Sequence, residues 1–378
     1  MRFLHTADWQ LGMSRHFLAG DSAALFRQAR IDVIKAMAAL AAERDCAFAV
    51  VAGDVFESNQ VSEDTVVRAL DALGQFTIPV LLLPGNHDPL EPGSVYTSPR
   101  FLAERPDCVH VVEDQQPWRG IPGVEVIGAP WPSRRPTRDL AGQALETVPA
   151  ADGTVRVLLA HGIVDTLAPD PHVPGLLKLA PIEEAIADRR LHYVALGDRH
   201  SFTVLGAERR VVYAGAPEPT SYRETDPGRA VIVEVDQARC ELAAVRVGAW
   251  RFAELARTID GADDIAALEA ALSALGDLSR TAVKLKLSGT ITLSEQAALE
   301  AALDGVALRA GALERPVRHE DLHVRPDNAD FRDVALTGYA AVARDALLRE
   351  AEGNDSEAAV DALALLLRLS EQGQAGER

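Results

Sequence analysis

Cysteine is scarce in this sequence of 378 residues, which holds only Cys46, Cys108 and Cys240. They are scattered, without a Cys-x-x-Cys pair, so a disulfide framework and a cysteine zinc site are both excluded as organising features. Thiols in this arrangement are typical of a reducing compartment, and we expect a cytoplasmic protein. Long apolar runs are also missing, because no stretch approaches the roughly 20 apolar residues of a membrane helix. The N-terminus, MRFLHTADWQ, lacks the layout of a signal peptide and predicts a core strand.

Basic residues are too few to balance the acidic ones. The chain has 38 Lys and Arg against 56 Asp and Glu, for a formal net charge of −18. This balance argues against a protein that coats nucleic acid with a basic surface. It does not exclude an enzyme that acts on nucleic acid, because carboxylates that bind metal lower the count and a partner can supply cationic surface. The 48% hydrophobic and 25% charged residues are typical of a globular protein, and the length of 378 residues predicts more than one domain.

Short apolar runs, each ending in a polar cluster, organise residues 1–236. Two predicted helices lie among them, at 23–43 and 62–73, and the second opens with the capping signature SEDT. The Pro- and Gly-rich stretch 117–138 is predicted to be a loop. Strands that alternate with helices predict an α/β fold, with a layered core of sheets flanked by helices. The runs occupy residues 2–8, 48–54, 79–88, 155–162, 192–200, 210–217 and 229–236.

A second pattern begins near residue 245 and predicts a small α/β domain. Two further helices are predicted at 331–350 and 356–370, the second with a strongly apolar face. We therefore expect three parts, at residues 1–244, 245–326 and 327–378. Within the small domain the predicted order is strand 246–258, helix 263–275, strand 282–287, helix 294–303 and strand 317–324.

Polar groups that can bind metal follow five of the apolar runs. Because the carboxyl ends of strands in an open α/β sheet form the ligand crevice, these groups should meet in one small volume. Unpaired carboxylates and imidazoles there would repel each other unless cations neutralise them. Each residue alone has an ordinary structural explanation, but the occurrence of such groups at five strand ends by chance is improbable. Oxygen and imidazole ligands favour Mn, Fe, Zn or Mg. The groups are Asp8, Asp54, Asn86-His87-Asp88, His161, and Asp198 with His200.

The segments around these residues are DWQ at 8–10, GDVFE at 53–57, GNHD at 85–88, HG at 161–162 and GDRH at 197–200. They resemble the five motifs of calcineurin-like metallophosphoesterases. Within that superfamily, HTADWQLG, GDVFE, YVALG and YAGAPEPTSYRE are most similar to SbcD-type DNA repair exonucleases. The resemblance is close over about residues 1–236. Beyond them it is loose, and the small domain and the helical tail take the places of that family's capping domain and ATPase-docking helices.

The resemblance implies a site with two divalent ions, expected to be Mn²⁺, and phosphodiester hydrolysis by a water that the ions activate. No covalent intermediate would form. His87 would stand beside the phosphate, where it would stabilise the transition state or protonate the leaving oxygen. The first ion would be bound by Asp8 and His200 with Gln10 beside them, the second by Asn86, His161 and Asp198, and Asp54 would bridge both.

Two of these positions depart from the family pattern, which usually has His where this chain has Gln10 and Asp198. An amide oxygen is a weaker, neutral ligand, so the first ion would be held less tightly. A carboxylate still binds a hard divalent ion. Three carboxylates and two divalent ions would give the site a net charge of about +1, which still attracts a phosphodiester. The substitutions therefore predict a retuned site rather than a lost one.

Several cations near the motifs are candidate substrate-binding residues. Arg15, His16 and Arg199 are close in sequence to the predicted ligands and could reach a phosphate, although a solvated charge is an equally good explanation for each. The compact basic loop SRRPTR, at residues 133–138, could contact a DNA backbone or have no role.

Three functions remain open at this stage. The leading hypothesis is a metal-dependent DNA nuclease, the catalytic subunit of an SbcC-SbcD-like repair complex, whose C-terminal helices dock on an SbcC-like coiled-coil ATPase. The resemblance also makes a homodimer possible, through helix 23–43. No membrane association is expected, because no apolar run is long enough to span a bilayer. A second hypothesis is a phosphodiesterase or phosphatase that acts on nucleotides or small phosphoesters. A third is a non-catalytic scaffold with a depleted metal site.

Overall fold

The computed structural model describes residues 1–316, 321–324, 336, 338–351, 358–359, 361–363 and 365–366. The chain divides into two compact units, Met1–Arg251 and Phe252–Arg378. This division lies beyond the boundary expected at 244–245, because the strand Cys240–Arg246 continues a sheet of the first unit. The expected boundary at 326–327 lies outside the described residues. None of the helices in the described part of the chain has both the length and the apolar composition that crossing a membrane requires.

The first unit contains strands β1 to β11 and helices α1 to α5. The strands are β1 (Arg2–Thr6), β2 (Ala49–Val51), β3 (Val80–Leu82), β4 (Val109–Val111), β5 (Val124–Ala129), β6 (Val155–His161), β7 (Tyr193–Gly197), β8 (Thr203–Leu205), β9 (Val211–Tyr213), β10 (Arg229–Val235) and β11 (Cys240–Arg246). The helices are α1 (Gly20–Glu43), α2 (Glu63–Leu73), α3 (Pro99–Glu104), α4 (Leu140–Glu146) and α5 (Leu179–Ala187).

Two sheets face each other in the middle of this unit. One has the strand order β11-β10-β1-β2-β3-β4 and the other β5-β6-β7-β9-β8, with parallel pairing from β1 to β4 and from β5 through β9. Phe3, Val50, Val157 and Tyr193 pack between them without solvent exposure. Helices α1 and α2 cover the outer face of the first sheet, and α4 and α5 that of the second. This arrangement of layers confirms the predicted α/β class with sheets flanked by helices.

Local sequence explains where several elements begin. The Ser62 hydroxyl accepts a hydrogen bond from the Thr65 amide at 3.3 Å and caps α2, as the SEDT signature predicts. The loop predicted over 117–138 is wrong at β5, which pairs in parallel with β6. Flanking Pro and Gly residues disguise the short run VEVIGA, whose six residues are all buried.

The second unit is a smaller α/β arrangement. Its sheet has the order β12-β13-β14, with β15 also paired to β13, and Leu268, Leu285 and Leu299 lie in its core. The single strand predicted over 246–258 is instead the end of β11 followed by β12. Residues 317–320 and 331–335, and most of the predicted helix 356–370, lie outside the described residues. The elements are β12 (Arg251–Thr258), α6 (Ala262–Ser273), β13 (Thr281–Ile291), α7 (Leu293–Ala307), β14 (Ala312–Glu314), β15 (Asp321–Val324) and α8 (Tyr339–Ala351).

Candidate metal centre

The polar residues expected at strand ends meet at one end of the two facing sheets. Asp8, Asp54 and Asn86 follow β1, β2 and β3 of the six-stranded sheet. His161 ends β6 and Asp198 follows β7, both in the five-stranded sheet. The crevice is therefore formed between two sheets, and not along the edge of one open sheet as the strand pattern suggested.

One group of side chains surrounds His161. Ligand atoms of Asp8, Asp54 and His161 all lie within 4.8 Å of one another, and the three residues are buried. The Nε2 atom of His161 is 2.7 Å from Asn86 Oδ1, 3.5 Å from Asp54 Oδ1 and 3.8 Å from Asp198 Oδ1. Carboxylate, amide and imidazole groups gathered at these distances have the ligand chemistry of a divalent metal ion. Asn86, His161 and Asp198 are the residues expected to bind the second ion and Asp54 the one expected to bridge, whereas Asp8 was expected to bind the first.

A second group surrounds His200. Its Nε2 atom lies 4.0 Å from Asp8 Oδ1 and 3.4 Å from Gln10 Nε2. The Oε1 atom of Gln10 is buried and has no hydrogen-bond partner among the described residues. An unpartnered buried oxygen is costly, and a cation would satisfy it. Asp8, Gln10 and His200 thus fit a first ion, with Asp54 adjacent to both groups.

The backbone around these residues adopts an uncommon conformation. Asp8, Gln10, Asp54 and Asp198 have φ angles of 55°, 45°, 55° and 92°. Residues other than glycine rarely adopt positive φ, and such residues cluster at functional sites. Hydrogen bonds hold the turns: the Asp198 amide donates to the Asp8 carboxylate at 3.0 Å, and the Gln10 amide to the Asp54 carbonyl at 2.9 Å. The first of these bonds joins the two sheets through two of the candidate ligands themselves.

The glycine in each Gly-Asp motif is explained by the closeness of the two sheets. A Cβ atom on Gly197 would lie 1.9 Å from the carbonyl oxygen of Ala52. A Cβ atom on Gly53 would lie 2.1 Å from Nδ1 of His161, and Gly53 also has a φ of +92°. Both contacts are far shorter than van der Waals distances. Only glycine therefore allows the strand ends of opposite sheets to approach closely enough for their side chains to share a site.

Burial and mutual attraction perturb the protonation of these groups. Burial raises the pKa of Asp8 to about 6. Burial opposes protonation of His161, but the carboxylates of Asp54 and Asp8 outweigh it and raise the pKa of His161 to about 9. The same opposition holds for His200, where the hydrogen bond with Glu224 and the charge of Asp8 raise the pKa to about 9. Protons and divalent cations therefore compete for the same imidazoles.

Hydrogen bonds to the far side of each ring orient the two imidazoles. Nδ1 of His161 lies 2.8 Å from the carbonyl oxygen of Ala52. Nδ1 of His200 lies 2.6 Å from Thr220 Oγ1 and 3.0 Å from Glu224 Oε1. Such partners fix the ring so that Nε2 faces the candidate metal. Neither Thr220 nor Glu224 was predicted to be functional, although both belong to the segment YAGAPEPTSYRE that carried part of the resemblance.

His87 lies between the buried group and solvent. Its amide donates to Asp54 Oδ1 at 3.0 Å, its Nδ1 lies 2.9 Å from the Glu57 carbonyl oxygen, and its Nε2 is 3.9 Å from Asp54 Oδ2. The side chain is 34% exposed. It borders an open cavity of about 330 Å³ lined by Glu57, Ser58, Asn86, His87 and Arg134. Arg134 of the basic loop is thus brought to the cavity that also contains His87.

Asp88 holds the backbone around the site in place and is not one of the candidate ligands. Its Oδ1 accepts from the Gly85 amide at 2.8 Å, and its Oδ2 accepts from the Phe56 amide and the Tyr96 hydroxyl at 2.9 and 2.6 Å. Both oxygens are therefore occupied, which corrects the inclusion of Asp88 among the groups that can bind metal. Its bonds tie the GNHD turn to the GDVFE segment.

The three cations expected to bind substrate do not line this cavity. Arg15 is half-buried and donates from Nε to the Thr220 carbonyl at 2.7 Å. Arg199 donates from Nε to Thr203 Oγ1 at 2.8 Å. His16 is exposed, with its ring edge-on to Phe17. None of the three is among the residues that line the cavity beside His87.

Similarity to known proteins is found over part of the chain. Residues 1–184 match the family model of calcineurin-like phosphoesterases, whereas no curated protein sequence matches significantly. Similar solved structures include TT1561 of Thermus thermophilus, at 13% identity over 65% of this chain and 99% of that chain, with a TM-score of 0.41. A dimetal phosphatase from Danio rerio has 11% identity over 64% and 98%, with a TM-score of 0.38. The purple acid phosphatase PPD1 from yellow lupin has 11% identity over 65% and 51%, with a TM-score of 0.37. Over residues 1–184, just under half of its length, the chain is thus similar to calcineurin-like phosphoesterases.

Proposed function

We propose that this protein is a metal-dependent DNA nuclease and the catalytic subunit of an SbcC-SbcD-like complex. The observation that carries the proposal is the position of His87 between the gathered candidate ligands and an open cavity. Its Nε2 lies 3.9 Å from Asp54, and its side chain reaches solvent. A phosphodiester entering the cavity would meet His87 together with the candidate ligand Asn86.

Two divalent ions, with Mn²⁺ the family expectation, would activate a water and polarise the phosphate there. The protein's side chains would orient the metal ligands and supply a proton from His87. Because the Glu57 carbonyl can accept only from Nδ1–H, Nε2 of His87 carries a proton only in the imidazolium form. In that form Nε2 can stabilise the charge on the phosphate or protonate the leaving oxygen. Thr220 and Glu224 keep Nε2 of His200 turned toward Asp8.

Two further observations favour DNA as the substrate. The cavity beside His87 is open and receives Arg134, and the next residue of the same loop, Arg135, is exposed. A cationic loop at this position can follow a phosphate backbone, even in a chain with a net charge of −18. The motif sequences also resemble those of SbcD-type exonucleases more than those of other family branches.

The proposed ATPase partner would dock on the C-terminal helices. In α8, Tyr339 is 96% exposed and Val342 is 67% exposed. Apolar side chains exposed on a helix in this way support a protein-binding role. Deletion of residues 331–378 should then abolish co-purification with a large coiled-coil ATPase, and co-purification that survives the deletion would refute this docking role.

A second candidate function is hydrolysis of nucleotides or other small phosphoesters. The observation in its favour is the volume of the cavity, about 330 Å³, which falls within the range of small-molecule sites. A protein of this kind would hydrolyse bis(p-nitrophenyl) phosphate and leave DNA intact under the same conditions.

Cleavage of linear DNA in Mn²⁺ by wild type and by His87→Ala tests the proposal. We expect the variant to lose at least about a hundredfold in rate, the usual contribution of a general acid or base, with unchanged thermal unfolding. His172→Ala, which alters an exposed histidine in a loop, is the matched control and should cut as wild type does. Intact DNA with wild type would contradict the nuclease proposal. If small phosphodiesters are then also left intact and at most one ion is bound, the protein is a scaffold.

A further inference from the structure

Arg30 is a charged residue buried inside the first unit. It lies on α1, and its residue exposure is only 1%. Burial lowers the pKa of its guanidinium to about 10, which leaves the group charged at neutral pH. A buried charge is costly unless its donors are used. The partners of Arg30 therefore indicate what this charge accomplishes.

Those partners are two backbone carbonyls from separate segments. Nη1 of Arg30 donates to the Trp9 carbonyl at 2.8 Å, and Nη2 donates to the Pro219 carbonyl at 2.6 Å. The guanidinium carbon also lies 4.7 Å from the centre of the Phe26 ring, a cation–π contact. The planar fork of one side chain thus joins residues that are 21 and 189 positions away in sequence.

Both carbonyls lie next to residues that form or orient the group around His200, which is expected to bind the first ion. Trp9 lies between Asp8 and Gln10, which both have positive φ angles. Pro219 directly precedes Thr220, whose hydroxyl lies 2.6 Å from Nδ1 of His200. A shift of either carbonyl would therefore move one side of the group relative to the other.

Arg30 does not use all of its donors. Its Nε atom is buried and has no hydrogen-bond partner among the described residues. The side chain therefore bonds the two carbonyls through Nη1 and Nη2, while Nε is left without a partner among the described residues. A lysine could not replace it, because an ammonium is a point donor and lacks the planar fork that spans two acceptors.

We infer that Arg30 is a positioning residue for the first metal ion: it sets the separation between the Asp8–Gln10 turn and the segment that orients His200. This inference rests on the two-ion site of the proposed function. Loss of such an outer partner typically lowers metal affinity by about 10- to 100-fold. The effect should be largest for the first ion, because Gln10 and His200 lie only in its group, whereas Asp8 also lies beside His161.

The test compares Arg30→Lys with a matched variant, Arg156→Lys, in the full chain. Arg156 is also fully buried and donates to Glu125 and Asp152 at 2.7 Å each, near the start of β6 and away from His161 at its end. Mn²⁺ binding is titrated by electron paramagnetic resonance, and thermal unfolding is followed on the same samples. Arg30→Lys should weaken binding of one ion by about 10- to 100-fold and affect the other ion less. Arg156→Lys should retain the affinity for both ions, even where it lowers the Tm.

Several outcomes would overturn the inference. They are wild-type affinity for both ions in Arg30→Lys, equal losses in the two variants, and binding of a single ion by the wild type. If Arg30→Lys does not fold, Arg30→Gln, which keeps one donor for one carbonyl, takes its place with the same expected loss. Because metal binding is the readout, a protein that binds two ions and leaves DNA intact would refute the nuclease and leave the role of Arg30 standing.

Discussion

His5 should make the first unit sensitive to acid. It lies on β1 with no solvent exposure, its Nδ1 is 3.0 Å from the Tyr193 hydroxyl, and its Nε2 has no hydrogen-bond partner among the described residues. Burial lowers the pKa of His5 from 6.5 to about 3. An imidazolium would have to be accommodated between two apolar sheet faces, so the folded protein keeps this ring neutral.

The size of the effect follows from the two pKa values. Below about pH 6.5 the unfolded chain binds a proton at His5, whereas the folded chain does not until about pH 3. The contribution of His5 to stability is therefore complete above pH 6.5 and is lost as the pH falls. Each pH unit costs about 1.4 kcal/mol, so the loss is about 2 kcal/mol by pH 5 and about 4 kcal/mol by pH 3. Asp8 and Asp88, whose pKa values are raised to about 6, act in the opposite direction.

The contribution of His5 is isolated by comparison with His5→Phe, which keeps a ring and cannot titrate. At pH 7.5 the variant should be less stable by about 1 kcal/mol, because the Tyr193 hydroxyl loses its partner. By pH 5 the loss at His5 in the wild type exceeds this amount, so the variant should become the more stable protein. Urea unfolding between pH 4.5 and 7.5, with a chelator present, measures both free energies. A stability difference that stays constant over this range would refute the reasoning.

Three further substitutions test the candidate site. Glu224→Gln removes the charged partner of His200 and should weaken Mn²⁺ binding by about 10- to 100-fold in a metal titration, whereas unchanged binding would show that Glu224 does not support the ligand. Gln10→His supplies an imidazole in place of an amide and should raise the affinity for the more weakly bound ion by about tenfold in the same titration, a change of the size seen for other alterations around metal ligands. Weaker binding would count against Gln10 as a ligand. Arg134→Ala should raise the KM for DNA by about tenfold, the value of one phosphate contact of about 1.4 kcal/mol, and leave kcat nearly unchanged. Arg135→Ala, the neighbouring exposed cation, is its control, and equal effects of the two would contradict a specific contact.

Local patterns were enough to predict the residues at the strand ends. Each candidate ligand directly ends or follows a short apolar run, as Asp54 follows β2 and His161 ends β6. Their approach to one another could be expected because parallel strands present their carboxyl ends on one side. The division into two facing sheets could not be predicted, because the pairing of β6 with β5 and β7 depends on contacts that no local pattern encodes. Strand β5 was missed because Pro and Gly residues surround it.

Residues that act through other residues left little trace in the sequence. Glu224 reaches His200 from 24 positions away, and Arg30 reaches Pro219 from 189. Neither has a spacing that distinguishes it from an ordinary surface carboxylate or helical arginine. The basic loop was recognised by composition alone, and only the fold brings Arg134 to the cavity beside His87. Arg15 and Arg199 illustrate the opposite case, because closeness in sequence to a ligand did not bring them to that cavity.

The most direct test of the account is the metal content of the protein after reconstitution with Mn²⁺, measured by elemental analysis, with cleavage of linear DNA assayed on the same sample. The account predicts two ions per chain and cutting that depends on Mn²⁺, with Gln10 and Asp198 as working ligands. One ion or none, with the DNA intact, would contradict it.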